Sequence, residues 1–193
     1  ASVLADRIKN PEARIDALAN LARAFAQKSN ATEVRLAIAR IQVEIDRIAS
    51  VDLQAKLWIQ IGRSLAEFGI ENEPANSINR VTHTLEDEDD PLVKSQVLAR
   101  LGAAYVADGD RAEGKRRFDE ALNHASQISD LGRRIIAFAR MAPRYHDARN
   151  TTLAQKILTD AGRLAVERLD VGGRARAFAE IVLAQAYIGD FDG

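Results

Sequence analysis

The sequence predicts an all-α fold. It reads as an α-α superhelix, or solenoid, of antiparallel helix pairs, about four and a half repeats and nine helices in a single domain spanning 1–193. Three observations predict it. Apolar residues recur forty positions apart: Leu21, Ile61, Leu101, Met141 and Ile181 form one column, and Leu18, Trp58, Leu98, Phe138 and Phe178 a second. A third column, Ala22, Gly62, Gly102, Ala142 and Val182, is small in four of five places. The punctuation keeps the same period, which chance matches of apolar residues would not do. Self-similarity at such a spacing marks stacked supersecondary units, each burying its core against its neighbours.

The units run over 10–49, 50–89, 90–129 and 130–169, with a half unit at 170–193. Each opens on a short polar residue: Asn10, Ser50, Asp90, Asp130 or Asp170. Such side chains accept hydrogen bonds from the unpaired amides of a helix's first turn. Pro11 and Pro91 follow directly, where a missing N–H is harmless. In the first unit Leu18, Leu21 and Phe25 stripe one helix and Ile38, Ile41 and Ile45 the next. The second repeats this with Trp58, Ile61 and Leu65, then Ile78, Val81 and Leu85. The third uses Val97, Leu98, Leu101 and Tyr105, then Phe118, Ala121, Leu122, Ala125 and Ile128. The fourth uses Phe138, Met141 and Tyr145, then Ala154, Leu158 and Ala161. Gly69, Gly109 and Gly189 share the turn inside each unit, where a positive φ is expected. The small column predicts a close crossing of the two helices, so Gly102 should accept Ala but not Leu. The fifth unit holds one helix, through Phe178, Ile181 and Val182 to Gly189-Asp190-Phe191. Its Gly-Asp lies in register with Gly109-Asp110, which favours a fragment of a longer array over a natural cap.

These columns resemble the tetratricopeptide repeat (TPR). That family places a large residue, Leu-Gly and Tyr on its first helix, and Ala, Phe and Ala on its second. The third unit matches with Leu98, Leu101, Gly102, Tyr105, Phe118 and Ala121. The fourth matches with Phe138, Met141, Ala142, Tyr145, Ala154, Leu158 and Ala161, and the second with Trp58, Ile61 and Gly62. The chain departs from the family in its period, forty residues against thirty-four, and in Pro74 and Gly114, which replace a small Ala. The resemblance implies a right-handed superhelix whose first helices line a concave face. The family's chaperone-tail clamp needs Lys and Asn one turn apart; Ala19 and Arg23 stand there, so that clamp is absent.

Composition limits the chemistry. There are 27 basic and 28 acidic side chains, a formal net charge of −1, and aromatics amount to 5%, mostly in repeat columns. This lacks the basic excess of a nucleic-acid binder, and none is expected as a partner. The absence of cysteine excludes disulfides, thiolate metal sites and a Cys nucleophile. No apolar run approaches the roughly 18 residues of a membrane span. The expectation is a soluble chain, cytoplasmic or periplasmic, already amphipathic at Leu4 and Ile8. His83, His124 and His146 have no second His at ligand spacing, and His146 alone is placed where its column would face a groove. The acidic run Glu86–Asp90 lacks the alternating ligands and Gly of a calcium loop and reads as a solvated turn. Gly172-Gly173 lacks the Lys-Ser/Thr pair of a phosphate loop. No catalytic, cofactor or metal site is expected, and the chain reads as a non-enzyme.

Function is therefore expected on the surface of the first helices. Asn20, Gln60, Arg100, Arg140 and Glu180 form one exposed column, extended by Arg23 and Arg63. Ala19, Ala99, Ala139 and Ala103 lie between them and would leave room for a guest backbone. The expected partner is a protein or peptide with acidic groups, clamped by Asn20, Arg23, Gln60, Arg63, Arg100 and Arg140, because guanidinium forks grip carboxylates bidentately. The competing expectation pairs these side chains with acids of neighbouring helices. Two other classes remain: a ligand-sensing regulatory domain, which would compact on binding, and a self-assembling module joined through its open C-terminal end.

Overall fold

The computed structural model describes residues 7–70 and 72–189; Leu4, Asp190 and Phe191, invoked above, lie outside them. The described residues are all helical in their regular structure, with nine helices and no strand. They are α1 (Pro11–Gln27), α2 (Ala31–Asp46), α3 (Val51–Ala66), α4 (Glu73–Thr84), α5 (Pro91–Ala107), α6 (Arg111–Ser126), α7 (Leu131–Asp147), α8 (Thr151–Arg168) and α9 (Val171–Ile188). Two compact units emerge, Ala1–Glu86 and Asp87–Gly193, dividing within the acidic turn.

The predicted caps form. Asn10, Ser50, Asp90, Asp130 and Asp170 each precede a helix, and each side chain accepts a first-turn amide. Arg133 N–H donates to Asp130 at 2.7 Å and Gly173 N–H to Asp170 at 2.7 Å. Asp90 does more. It caps Leu92 N–H at 2.9 Å, and its other carboxylate oxygen accepts from Arg133 at 2.7 Å, tying α5 to the start of α7. The acidic run is thus a capped turn, with Glu88 accepting the Asp90 amide at 2.8 Å.

A second cap column escaped the sequence reading. Asn30, Asp110 and Asn150 cap α2, α6 and α8 with their side chains, through Glu33, Glu113 and Leu153 N–H. Their own amides meanwhile close the preceding helix, donating to Phe25, Tyr105 and Tyr145 carbonyls at 2.9–3.0 Å. The residue before each is left-handed and donates three back, to Ala26, Val106 and His146. This is the two-bond Schellman closure, in which the left-handed residue reverses the chain. Gly69, Gly109 and Gly189 have the expected positive φ, at 82°, 94° and 74°. Ser29 and Arg149 occupy the same column and take it too, at 54° and 63°.

In the first unit α1 packs on α2, α3 on α4, and α3 on both α1 and α2. Ile15, Leu18, Ile41, Ile45, Trp58, Ile61 and Leu65 are buried there. Helix α4 is the irregular one. Ile70 stands where the other turns carry Asn or Asp, and α4 begins late behind Asn72, which makes no side-chain cap. The start of α4 is organised by a charge instead. Glu73 is 7% exposed, accepts from Asn76 at 3.0 Å and from Arg80 at 3.2 Å, and the Arg80 guanidinium lies 4.4 Å over the Trp58 ring.

In the second unit α5 packs on α6 and α7, α7 on α8 and α9, and α8 on α9. The small column is a close crossing, as expected. A Cβ on Gly102 would stand 3.0 Å from the Gly114 carbonyl oxygen and from the Phe118 ring, and one on Gly114 would stand 2.9 Å from the Gly102 carbonyl oxygen. Gly114, which replaces Ala in the repeat pattern, is thus the partner of Gly102. Helix α9 leaves an apolar face open: Val182 is 58% exposed and Leu183 66%, with Phe178, Ala186 and Tyr187 also exposed. Amides of α9 are expected to exchange faster than those of α5, or the chain to gain mass with concentration in sedimentation. A monomer whose α9 is protected like α5 would show that this face needs no cover.

Candidate functional site

The six expected contact residues divide between the two units. In the first, Asn20 is exposed on α1, and Arg23 one turn later donates from Nη2 to its side-chain oxygen. The Arg23 guanidinium also lies 5.0 Å over Phe68, in the turn that follows α3. Stacking and the Asn20 hydrogen bond hold the guanidinium flat, with its Nε buried and without a hydrogen-bond partner among the described residues. Gln60 and Arg63 are exposed on α3; Arg63 sits in its last turn, where the helix dipole favours a cation, and is itself engaged.

In the second unit Arg100 is half-buried on α5 and engaged. Arg140 on α7 grips Glu180 on α9 through both Nε and Nη2, the Nε distance being 2.9 Å. This bidentate fork joins two members of the same column across neighbouring first helices. The Arg140 hydrogen bond holds the Glu180 carboxyl below its usual range, against the opposing effect of burial. A lowered carboxylate contributes stability that is present above its unfolded value, near 4.3, and is lost as pH falls through the folded value. Arg140→Ala is expected to destabilise the unit by about 0.5–1 kcal/mol at pH 7. That difference should vanish below about pH 3, as read from urea melts at both pH values.

The alanines behave differently from expectation. Ala19, Ala99, Ala103 and Ala139 are all buried and offer no space to a guest backbone. The cause is packing between successive first helices: α1 packs on α3, and α5 on α7, which in turn packs on α9. Ala179, the same column on α9, is exposed. Helix α9 has no later first helix packed on it among the described residues. The polar column is therefore a surface without a trough of small residues beside it.

The histidines are ordinary. His83 is exposed and meets Glu86 at 2.9 Å; His146 meets Thr151 Oγ1 at 3.1 Å and the edge of Tyr187. Among the described residues no group of three His, Cys, Asp or Glu side chains is placed to hold a metal ion, and no helix is long and apolar enough to cross a membrane. Sequence reasoning missed the arginine–aromatic stacks. Arg80 on Trp58, Arg23 on Phe68 and Arg144 on Tyr187 recur, and of these aromatics only Trp58 has a place in an apolar column. No family model matches the chain, nor does any curated protein or solved structure.

Proposed function

We propose that the chain is a non-catalytic protein-interaction scaffold, a TPR-like solenoid of antiparallel helix pairs that holds a partner segment on the exposed polar column of its first helices. Asn20, Arg23, Gln60, Arg63, Arg100 and Arg140 make the contacts, and acidic groups on the partner are what they recognise. The observation that supports this reading is that Asn20, Gln60 and Arg140 are exposed on first helices at multiples of forty residues. Arg140 is held by Glu180 and would exchange that carboxylate for one of the partner's. The forty-residue register supports the extension to the other members of the column, each within its own unit.

Affinity capture with the chain as bait, followed by binding measurements on the protein recovered, tests this. Arg100→Ala combined with Arg140→Ala should weaken that binding at least about tenfold while helicity is kept, since removing one charge-assisted hydrogen bond has an effect of this order. The melting temperature should fall by only a few degrees, because an exposed pair contributes about 1 kcal/mol at most. Unchanged binding by the double variant would remove the site from this column.

A further inference from the structure

The second unit contains a cleft that the polar column does not use. Helices α6 and α8 do not pack on one another, and the last turn of α7 forms the floor between them. The space has a volume of about 870 Å³. Phe118 and Tyr145 stack on that floor with centroids 4.3 Å apart. Tyr145 is 3% exposed, yet its hydroxyl has no hydrogen-bond partner among the described residues. Burial and the nearby Asp119 push its ionisation upward, so it stays a donor. A buried donor without an acceptor is costly, and native chains rarely leave one without a purpose.

The charges around the cleft are unevenly satisfied. Asp119 is taken by Lys115, and Asp147 by Arg144 at 2.7 Å and the Tyr187 hydroxyl at 3.0 Å. Arg111 and Arg149 also line it, and among the described residues neither guanidinium has an ion pair or hydrogen bond. The Asn150 side-chain oxygen caps Leu153, leaving its amide nitrogen as a donor. The Arg111 and Arg149 guanidinium groups, the Asn150 amide nitrogen and the Tyr145 hydroxyl are thus donors that an acceptor would satisfy. Asp119 and Asp147 on the same walls disfavour a dianion, which points away from phosphate and towards a carboxylate. The Phe118–Tyr145 floor, with Leu122 and Leu153 beside it, asks for an apolar body next to that carboxylate.

We propose that this cleft is a second binding site, taking a peptide carboxylate that has an apolar side chain beside it. Arg111 and Arg149 attract the carboxylate, Leu122 and Leu153 flank the apolar part over the stacked rings, and the Tyr145 hydroxyl, closed to solvent in the structure, donates to the ligand once a shift of the walls uncovers it.

The test is a titration of the isotope-labelled chain with N-acetyl-leucine, followed by amide shifts. N-acetyl-leucinamide and inorganic phosphate serve as the comparison probes. N-acetyl-leucine should shift residues 115–122 and 149–153 saturably below roughly 50 mM, the weak affinity suited to so small a probe. The amide and phosphate should each bind at least about tenfold more weakly. Tyr145→Phe should weaken the acid about fivefold without loss of stability, since it removes an unpaired hydroxyl. Arg149→Gly should weaken it about tenfold while raising the melting temperature by a few degrees, a pair of opposite signs that a purely structural residue would not give. Absence of saturation, equal binding of acid and amide, phosphate binding as well as the acid, or indifference to both substitutions would each overturn the proposal.

Discussion

Gly102→Leu is expected to destabilise the second unit by about 3 kcal/mol, at the upper end of what overpacking costs. The reason is backbone, not side chain. At Gly102 the α5 and α6 backbones approach so closely that a Cβ alone would stand 3.0 Å from the Gly114 carbonyl oxygen. A leucine has to push α6 away or break the Phe118–Tyr145 stack, because Phe118 lies on the same side. Gly102→Ala is expected to be near neutral: the roughly 1 kcal/mol that Ala gains over Gly in a helix offsets the crowding. Gly114→Ala should cost about 1–2 kcal/mol, since its Cβ would meet Val106 at 2.5 Å and the Gly102 carbonyl at 2.9 Å. Thermal melts of the three variants check the order. A Leu variant that melts with the parent would mean that the two helices do not cross here.

Arg80→Ala is expected to cost about 2 kcal/mol in the first unit. Arg80 keeps 28% of its side chain exposed and Glu73 10%, so the Glu73 charge left behind is uncompensated but not wholly cut off from water. Glu73 would keep only Asn76 as a donor, and Trp58 would lose the guanidinium that covers it at 4.4 Å. Adding Glu73→Gln should recover much of the stability, because an amide needs no counter-charge. A double-mutant cycle by urea melts reads the coupling. Additive effects would mean that Glu73 is solvated in solution.

What the sequence made legible was whatever repeats at fixed positions and depends on residue type alone. The first-helix caps are short polar residues at a constant step, and all five cap as expected. The left-handed turn was visible at Gly69, Gly109 and Gly189, where glycine advertises it. At Ser29 and Arg149 only the register carried the information, because neither residue type announces a positive φ. The column Asn20, Gln60, Arg100 and Arg140 could be read as polar. The grip of Arg140 on Glu180 was foreseen only as one of two alternatives, since nothing local decides whether a surface arginine finds an acid forty residues away. The alanines were misjudged for a related reason. Smallness fits both an open trough and a tight packing site, and only the neighbouring first helix distinguishes them. Tyr145 was correctly placed among packing residues, yet whether its hydroxyl meets an acceptor depends on three helices at once.

The fused turn has a consequence for where this chain tolerates growth. At Asn30, Asp110 and Asn150 one residue finishes a helix with its amide and begins the next with its side chain. A hairpin closed that way has no spare length, so a single inserted residue there would separate the two tasks and lose both. The joins between one pair of helices and the next vary in length. Helix α6 has 16 residues and α8 has 18, yet α7 and α9 start on schedule because the connecting stretch shortens as the helix lengthens. They are tied all the same: Gln54 and Arg134 donate to the Ile48 and Ile128 carbonyls at 2.6 and 2.8 Å, and Ser50 caps α3. An engineer wishing to graft a loop, a tag or a cleavage sequence should use Ala49 or Ser129, exposed between those ties, and leave the hairpin tips untouched.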